Sequence, residues 1–313
     1  MHELTFGFSL LPTLDLDAHV ELVTAAEAAG LDLVGIQDHP YVPGYLDTFV
    51  LAGALLARTG SITVFPDVAN LPLRPPAMLA KTAAALDLVS EGRFELALGA
   101  GGYWDAITGL GVPRQRPAEA NAALEEAIGV VRALWRPGGA PVWLDGDHYS
   151  IQGAPSGPVP AHPIEIWTGA QGPNALRLTG RIADGWAAPI ASYLPYEKWA
   201  KANLVIDDAG RSAGRDPGQI RRIAQLVGTI LDRPGASTAD AESGAEPIRG
   251  TARQWAELIA RLASEQPFTS FVFWPQRQTV DQVGRFAAEV VPAARALLGE
   301  ARTAGHASDS AQH

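Results

Sequence analysis

Short β-type runs alternate with longer helical patterns from one end of the chain to the other. Parallel strands need a crossover connection of a dozen or more residues, usually a helix, so this order predicts a parallel sheet covered by helices. Eight such units in 313 residues favour an α/β fold of the (β/α)8 TIM barrel type, with a doubly wound open sheet as the alternative. The predicted strands lie at 4–11, 33–37, 62–65, 94–98, 164–168, 185–189, 220–230 and 268–274. The predicted helices lie at about 17–29, 47–58, 76–89, 117–135, 173–181, 195–213, 251–264 and 279–298.

We expect one barrel domain over 1–300 and a disordered tail at 301–313. Two segments interrupt the alternation, at about 136–163 and 231–250, and the first contains a hairpin-like stretch. Both are expected as insertions at the C-terminal face of the barrel. There, each is either surface decoration or a lid over the barrel mouth.

Composition excludes several kinds of site. The chain has no cysteine, which removes disulfides, thiolate metal sites, iron–sulfur clusters and cysteine nucleophiles, so redox chemistry needs a bound cofactor. We predict no metal site. A net charge of -10 disfavours nucleic acid and anionic membranes as partners. The start lacks a basic leader and no run approaches about 18 apolar residues, so we expect a cytoplasmic protein.

Two predicted strand ends carry groups suited to a planar ligand, at the face where this fold places active sites. Asp38 and His39 follow the second strand, and His39 can exchange a proton or hydrogen-bond a polar ring edge. The alternative is a histidine satisfied by loop backbone. After the third strand, prolines at 66, 72, 75 and 76 restrict the loop, which is then either a wall for a flat ligand or a stiff connector.

Glycines follow the fourth and fifth strands. In the stretch 99–102 the missing side chains let backbone N–H groups approach a ring or a phosphate, although the spacing is not that of a dinucleotide fold or a Walker motif. The stretch 169–172 leads into a helix with Pro173 near its first position. This order predicts an anion site at a helix N-terminus, with an ordinary barrel turn as the alternative.

The most specific stretches are LDLVSEGRFELALGAG at 86–101, GAQGP at 169–173 and GRIADGW at 180–186. With these, the chain resembles the bacterial luciferase-like oxidoreductases over essentially its whole length. It is most similar to the branch that uses the deazaflavin coenzyme F420, which includes methylenetetrahydromethanopterin reductase. The run Asp38-His39-Pro40 also looks like this branch, whereas the flavin mononucleotide (FMN) branch more often has Glu-His-His there.

The resemblance implies roles for individual residues. Asp38 and His39 would flank the reactive ring, with His39 as the catalytic residue. Asp67, Val68 and Ala69 would lie behind the ring, with a non-prolyl cis peptide at Asp67-Val68. The remaining cofactor-binding residues would be Gly99, Gly101 and Gly102 beside the ring and Gly169, Ala170, Gln171 and Gly172 at the phosphate.

One position departs from the branch. Its sugar-phosphate and alcohol dehydrogenases carry a glutamate just after the glycine loop, where this chain has Tyr103 and Trp104. An aromatic pair would present an apolar wall with polar handles, suited to a flat or hydrophobic substrate.

The function so implied is hydride transfer between F420 and a small organic substrate at the barrel mouth. One alternative is an FMN-dependent monooxygenase that uses reduced flavin and oxygen. An alternative of another class is a non-catalytic flavin-binding protein. The resemblance also implies a homodimer, with the helices at 47–58 and 76–89 as the candidate contact. Neither the substrate nor the direction of hydride transfer follows from the sequence.

Overall fold

The computed structural model describes residues 2–233 and 247–299. Along these residues the strands are β1 (Thr5–Leu10), β2 (Leu33–Ile36), β3 (Thr63–Pro66), β4 (Ala69–Asn70), β5 (Leu96–Gly99), β6 (Pro141–Asp145), β7 (Ser150–Pro155), β8 (Ile166–Thr168), β9 (Gly185–Ala188), β10 (Arg221–Leu231), β11 (Ile248–Thr251) and β12 (Ser270–Pro275). The helices are α1 (Leu16–Ala28), α2 (Thr48–Leu56), α3 (Pro76–Val89), α4 (Trp104–Gly109), α5 (Pro117–Leu134), α6 (Pro173–Ile182), α7 (Trp199–Ser212), α8 (Ala252–Glu265) and α9 (Val280–Arg285). A π-helical turn at Phe286–Val290 continues α9 into a helix over 291–299.

The predicted barrel is confirmed. The parallel wall runs in the order β3, β2, β1, β12, β10, β9, β8, β5, with β4 beyond β5 and β11 on β10. A parallel bridge between Val64 and Phe94 joins the two ends of this order. At that bridge Val64 N donates to Arg93 O at 3.0 Å and Glu95 N donates to Val64 O at 3.1 Å. The short elements α4, β4 and β11 were not predicted.

Local sequence rules set the start of most helices. The side chain of Asp15 accepts from Ala18 N at the start of α1, and that of Asp47 accepts from two amides at the start of α2. Proline occupies the first turn of α3, α5 and α6, where its missing N–H removes a donor that has no helical partner. All eight predicted helices are found, each within a few residues of its expected position.

The lumen of the barrel is filled in layers because alternate residues of each strand point inward. The lower layer is apolar and is formed by Leu33, Phe65, Ala97, Trp167, Ala187, Ile223 and Val272. On β1 this layer has Gly7, whose added Cβ would lie 2.2 Å from Leu33 O. Two residues further along the strands comes an upper layer facing the mouth, made of Ser9, Gly35, Asp67, Gly99, Gly169, Pro189, Gln225 and Trp274.

The first insertion lies elsewhere than expected. It leaves the end of α5 and returns to the start of β8, which are both at the N-terminal face of the barrel; Gly157 N donates to Leu134 O at 2.6 Å there. Its antiparallel strands β6 and β7 form a hairpin whose tip is held on α5 by Glu126. The carboxylate of Glu126 accepts at 2.9 to 3.0 Å from the amides of Asp147, His148 and Tyr149. The segment 136–163 is therefore not a lid over the barrel mouth, and that alternative is wrong.

The second insertion follows β10, at the C-terminal end of the wall, and the chain returns as β11 beside it. The expected insertion at 231–250 falls largely on 234–246, which lies outside the described residues, as does the tail at 301–313.

On the outer side, Val50 of α2 and Met78 and Val89 of α3 are exposed apolar side chains. They lie on the helices expected to contact a second copy, and the homodimer stays a prediction. Within 2–233 and 247–299, no helix combines the length and apolar character that crossing a bilayer requires.

His162 lies between the β6–β7 hairpin and β8, and it binds this segment to the N-terminal face of the barrel. Its Nδ1 lies 2.7 Å from Asp87 Oδ1 and its Nε2 lies 3.2 Å from Glu95 Oε1. Hydrogen bonding to Glu95, helped by the charges of both carboxylates, raises the pKa of His162 to about 9. The imidazolium donates from both ring nitrogens, and the fully buried carboxylate of Asp87 depends on one of these contacts.

We expect His162→Ala to lower the free energy of unfolding by about 2 kcal/mol near pH 6, because it removes two charge-assisted hydrogen bonds. The folded pKa is above the unfolded value of about 6.5, so the stabilisation is complete below pH 6.5 and is lost as pH rises through about 9. Denaturant unfolding between pH 6 and 10 measures the difference between variant and wild type. His148→Ala on the hairpin tip is the control, and a difference that does not shrink with pH contradicts the assignment.

Candidate active site at the barrel mouth

The side chain of Val68 packs on two glycines of the upper layer, Gly99 and Gly169. The peptide bond Asp67-Val68 is cis, as the resemblance predicts. A Cβ added to Gly99 would lie 2.8 Å from Val68 Cγ2, and one added to Gly169 would lie 3.0 Å from it. Ala69 is buried and pairs with Leu98 of β5. Gly99 and Gly169 are therefore glycines because the Val68 side chain packs directly on their backbones.

Asp67 lies below this valine, inside the lumen. Its Oδ1 accepts from Gln225 Nε2 at 2.9 Å, and its carboxyl fills the space left by Gly35. Ser9 and Trp274 are near enough to oppose the effect of burial on the pKa of Asp67, but neither makes a hydrogen bond with it. Ser9 Oγ, Asp67 Oδ2 and Trp274 Nε1 are therefore buried without a partner among the described residues. Burial dominates and raises the pKa of Asp67 to about 7.

Asp38 is held by the loop after β3. Its carboxylate accepts from Arg74 Nε at 2.7 Å, from Arg74 Nη2 at 2.6 Å and from Asn70 N at 2.8 Å. Arg74 also donates to Asp47 at 2.8 Å and lies over the ring of Phe49. The Asp38 side chain thus joins the loops after β2 and β3, and its expected place beside a ring stays a prediction.

His39, the next residue, is differently placed. Its ring is half-buried and makes no hydrogen bond with any residue in 2–233 or 247–299, so it is not the backbone-satisfied histidine of the alternative interpretation. Burial lowers the pKa of His39, opposed by the charge of Asp38. The imidazole is therefore neutral at pH 7, with both nitrogens available to a ligand.

Aromatic rings surround His39 at the mouth. Tyr41 stacks on it with ring centroids 5.5 Å apart, and Tyr103 meets it edge-on at 5.8 Å. The hydroxyl groups of Tyr103 and Tyr193 are hydrogen-bonded to each other. Burial raises the pKa of Tyr41 to about 12 and also raises that of Tyr193, so these phenols are neutral. We call His39, Tyr41, Tyr103 and Tyr193 the mouth cluster.

The two glycine loops each divide into a packed part and an open part. Gly169 N donates to Leu98 O at 3.0 Å, and the buried Ala170 accepts from Trp186 Nε1 at 3.0 Å, so both belong to the wall. Gln171 and Gly172 are exposed at the start of α6, where no side chain caps the helix. In the other loop Gly101 has a φ of +96°, which favours glycine, and Gly102 is exposed. Among the described residues, a Cβ on Gly102 or Gly172 would meet nothing within 4 Å.

Sequence reasoning missed several of these residues. Tyr41 stands two positions after His39, where its proximity along the chain is a usable signal. Tyr193 belongs to the loop after β9, which carries no histidine, carboxylate or glycine cluster to mark it. Gln225 and Trp274 lie inside strands and are indistinguishable from core positions by pattern. The described residues contain no group of three or more His, Asp or Glu side chains arranged to hold a metal ion.

A family model described as luciferase-like monooxygenase matches residues 4–294. The chain belongs to this family. It is an oxidoreductase family, and the expected resemblance is confirmed.

Among curated relatives, F420-dependent glucose-6-phosphate dehydrogenase from Beutenbergia cavernae is 28% identical over 312 residues, covering 87% of this chain and 91% of that protein. A protein of the same name from Nakamurella multipartita is 34% identical over 176 residues, 53% of this chain, and this match spans half the length of that relative. Among solved structures, coenzyme F420 dependent tetrahydromethanopterin reductase from Methanopyrus kandleri superposes with a TM-score of 0.78 at 19% identity, covering 93% of this chain and 99% of that one. This likeness supports the fold.

We expect Asp67→Asn to change how stability depends on pH. The folded pKa of Asp67 is raised from 3.8 to about 7, so wild-type stability falls as pH rises between about 4 and 7, where only the folded state keeps the proton. The amide still accepts from Gln225 but cannot ionise. Between pH 4 and pH 8, the difference in free energy of unfolding between Asp67→Asn and wild type should shift in favour of the variant by an amount on the order of 3 kcal/mol. Unfolding curves at both pH values measure this, with Asp147→Asn at the exposed hairpin tip as control; parallel pH profiles for wild type and Asp67→Asn contradict it.

Proposed function

We propose that this chain binds the deazaflavin coenzyme F420 at the barrel mouth and transfers a hydride between it and a small organic substrate. The observation that carries the proposal is a pair of features on the same face of the barrel. One is the neutral imidazole of His39, which has no hydrogen-bond partner among the described residues, and the other is the wall that Val68 forms with Gly99 and Gly169. The names of the Beutenbergia and Methanopyrus proteins support F420 rather than another carrier.

The residues present fit such a group. At Gly102 and Gly172 no side chain of the described residues covers the backbone, so a flat ring and a phosphate can approach these two glycines closely. The uncapped start of α6 offers backbone N–H groups and a helix dipole to a phosphate. We therefore assign Gly101 and Gly102 to the ring and Gln171 and Gly172 to the phosphate, while Gly99, Gly169 and Ala170 shape the wall behind them.

When bound, a deazaflavin supplies a carbon centre that gives or accepts two electrons as a hydride. His39 moves the accompanying proton: the neutral imidazole accepts it from a substrate hydroxyl during oxidation, and the imidazolium returns it to the oxygen during reduction. Val68 supports one face of the ring, which leaves the other face for the substrate. The mouth cluster reduces the access of water to that face.

Glucose 6-phosphate is not carried over as the substrate. In this chain Tyr103 and Trp104 follow the glycine loop, and a phenol pair rather than a carboxylate faces the mouth there. We propose a neutral, flat or hydrophobic substrate instead.

The second candidate is an FMN-dependent monooxygenase, favoured by the description of the family model. Both cofactors carry a phosphate, so the start of α6 fits either. A non-catalytic binder is the weaker proposal, because it leaves the unbonded imidazole of His39 without a role.

Cofactor binding decides among these. Purified protein is titrated with oxidised F420 and, separately, with FMN, following quenching of their fluorescence. Saturable F420 binding that is tighter than FMN binding supports the proposal. Tight FMN binding with no F420 binding overturns the cofactor choice in favour of the monooxygenase. Turnover is then followed by deazaflavin absorbance against a panel of small ketones, aldehydes and alcohols.

We expect Gly172→Val to weaken F420 binding at least about tenfold without lowering the melting temperature, because the side chain enters open space that the phosphate would occupy. Gly129→Val on the exposed face of α5 is the matched control, since its Cβ also meets nothing. Gly169→Val is unsuitable because its side chain would collide with Val68. Unchanged affinity in Gly172→Val removes the phosphate from this loop.

We expect His39→Ala to reduce the rate of the best substrate by about 100-fold while changing F420 affinity much less, as removal of a general acid or base does. Steady-state kinetics with the best substrate from the panel and the fluorescence titration measure the two quantities. His148→Ala should retain the full rate. If His39→Ala turns over like wild type, His39 takes no part in proton transfer.

A further inference from the structure

Two tyrosines bridge the barrel mouth through their hydroxyl groups. Tyr103 follows β5 and Tyr193 follows β9, so they reach each other from separate loops. Their rings are 6.2 Å apart at an interplanar angle of 75°, and their hydroxyl groups are hydrogen-bonded. Tyr103 is 48% exposed and Tyr193 is 43% exposed, so the bridge is open to a ligand that enters the mouth.

This bridge continues into the rest of the mouth cluster. The ring of Tyr103 meets that of His39 at 78° and that of Tyr41 at 62°, with centroids 5.8 and 6.1 Å apart. The stacked rings of Tyr41 and His39 are nearly parallel, at 18°. The cluster therefore combines aromatic ring surface with the two phenol oxygens next to it.

Hydrogen bonding within the pair limits what it can bind. Each phenol has one hydrogen, and one of the two is used between the oxygens. The pair therefore presents one free O–H donor, which complements a single acceptor oxygen. The charged group that acts on Tyr41 is the carboxylate of Asp38, and the groups that act on Tyr193 are the other tyrosines. Such surroundings favour a neutral ligand over an anion.

We propose that Tyr103 and Tyr193 together determine substrate specificity by binding the carbonyl oxygen of a neutral aromatic or cyclic ketone or aldehyde. The flat part of the substrate lies against the rings of the mouth cluster, and the phenol pair fixes the position of its oxygen near His39. This rests on the proposed function, which it deepens by naming the substrate class.

Matched probes separate oxygen recognition from apolar contact. Acetophenone and α-methylstyrene have nearly the same shape, but only the first carries an acceptor oxygen. Their affinities for the F420-loaded protein, and for the protein alone, are measured by ligand-observed NMR titration. We expect wild type to bind acetophenone about tenfold more tightly than α-methylstyrene, the value of one hydrogen bond.

Variants assign this preference to the pair. Tyr103→Phe or Tyr193→Phe leaves one phenol with its own hydrogen, so each single variant should keep part of the preference. The double variant should bind both probes equally, with α-methylstyrene affinity unchanged. Tyr149→Phe on the β6–β7 hairpin is the control and should retain the full preference.

The outcomes distinguish this inference from the proposed function. Absence of F420 binding in wild type overturns the proposed function, and the probe titrations on the protein alone still test the pair. Equal affinity of the two probes in wild type, no binding of either probe, or a preference that persists in the double variant overturns the specificity role. Benzoate binding more tightly than acetophenone overturns the neutral substrate class.

Discussion

The contact of the Val68 side chain with the backbones of Gly99 and Gly169 is the constraint on which the mouth of this barrel depends. It joins the loop after β3 to the ends of β5 and β8, and a Cβ at either glycine would come within 3.0 Å of the valine. Interiors packed this closely do not adjust to an added methyl group without shifts of backbone. The wall behind the site is therefore fixed by side chains and glycines of the barrel itself.

The two layers of the lumen differ in polarity. The lower layer is apolar and fills the lumen below the mouth. The upper layer mixes glycines with Asp67, Gln225 and Trp274, and its carboxyl is buried enough to hold its proton near neutral pH. A polar group survives there because Gln225 satisfies part of it and protonation removes its charge.

Sequence pattern predicted the barrel because strand and helix periods are local properties. It singled out His39 because catalytic groups of this fold collect at strand ends, and the catalytic role of His39 stays a prediction. It failed for the hairpin, although an insertion between a helix and the next strand belongs to the N-terminal face by connectivity. It also interpreted Gly99 and Gly169 as space for a ligand, whereas that space is occupied by Val68, a contact that no single-sequence pattern shows. Tyr193 was missed because its importance arises only from a partner 90 residues away in the chain.

Electrostatics gives these parts a common property. Burial lowers the pKa of His39, raises the pKa of Tyr41 and Tyr193, and raises that of Asp67, so each group is shifted toward its neutral form. Asp38 forms an ion pair with Arg74, with Arg74 Nη2 2.6 Å from Asp38 Oδ1. A hydride carries a negative charge, so neutral neighbouring groups suit the proposed hydride transfer. Neutral phenols and a neutral imidazole can still donate or accept protons at an oxygen atom, which is the chemistry that the proposed hydride transfer requires.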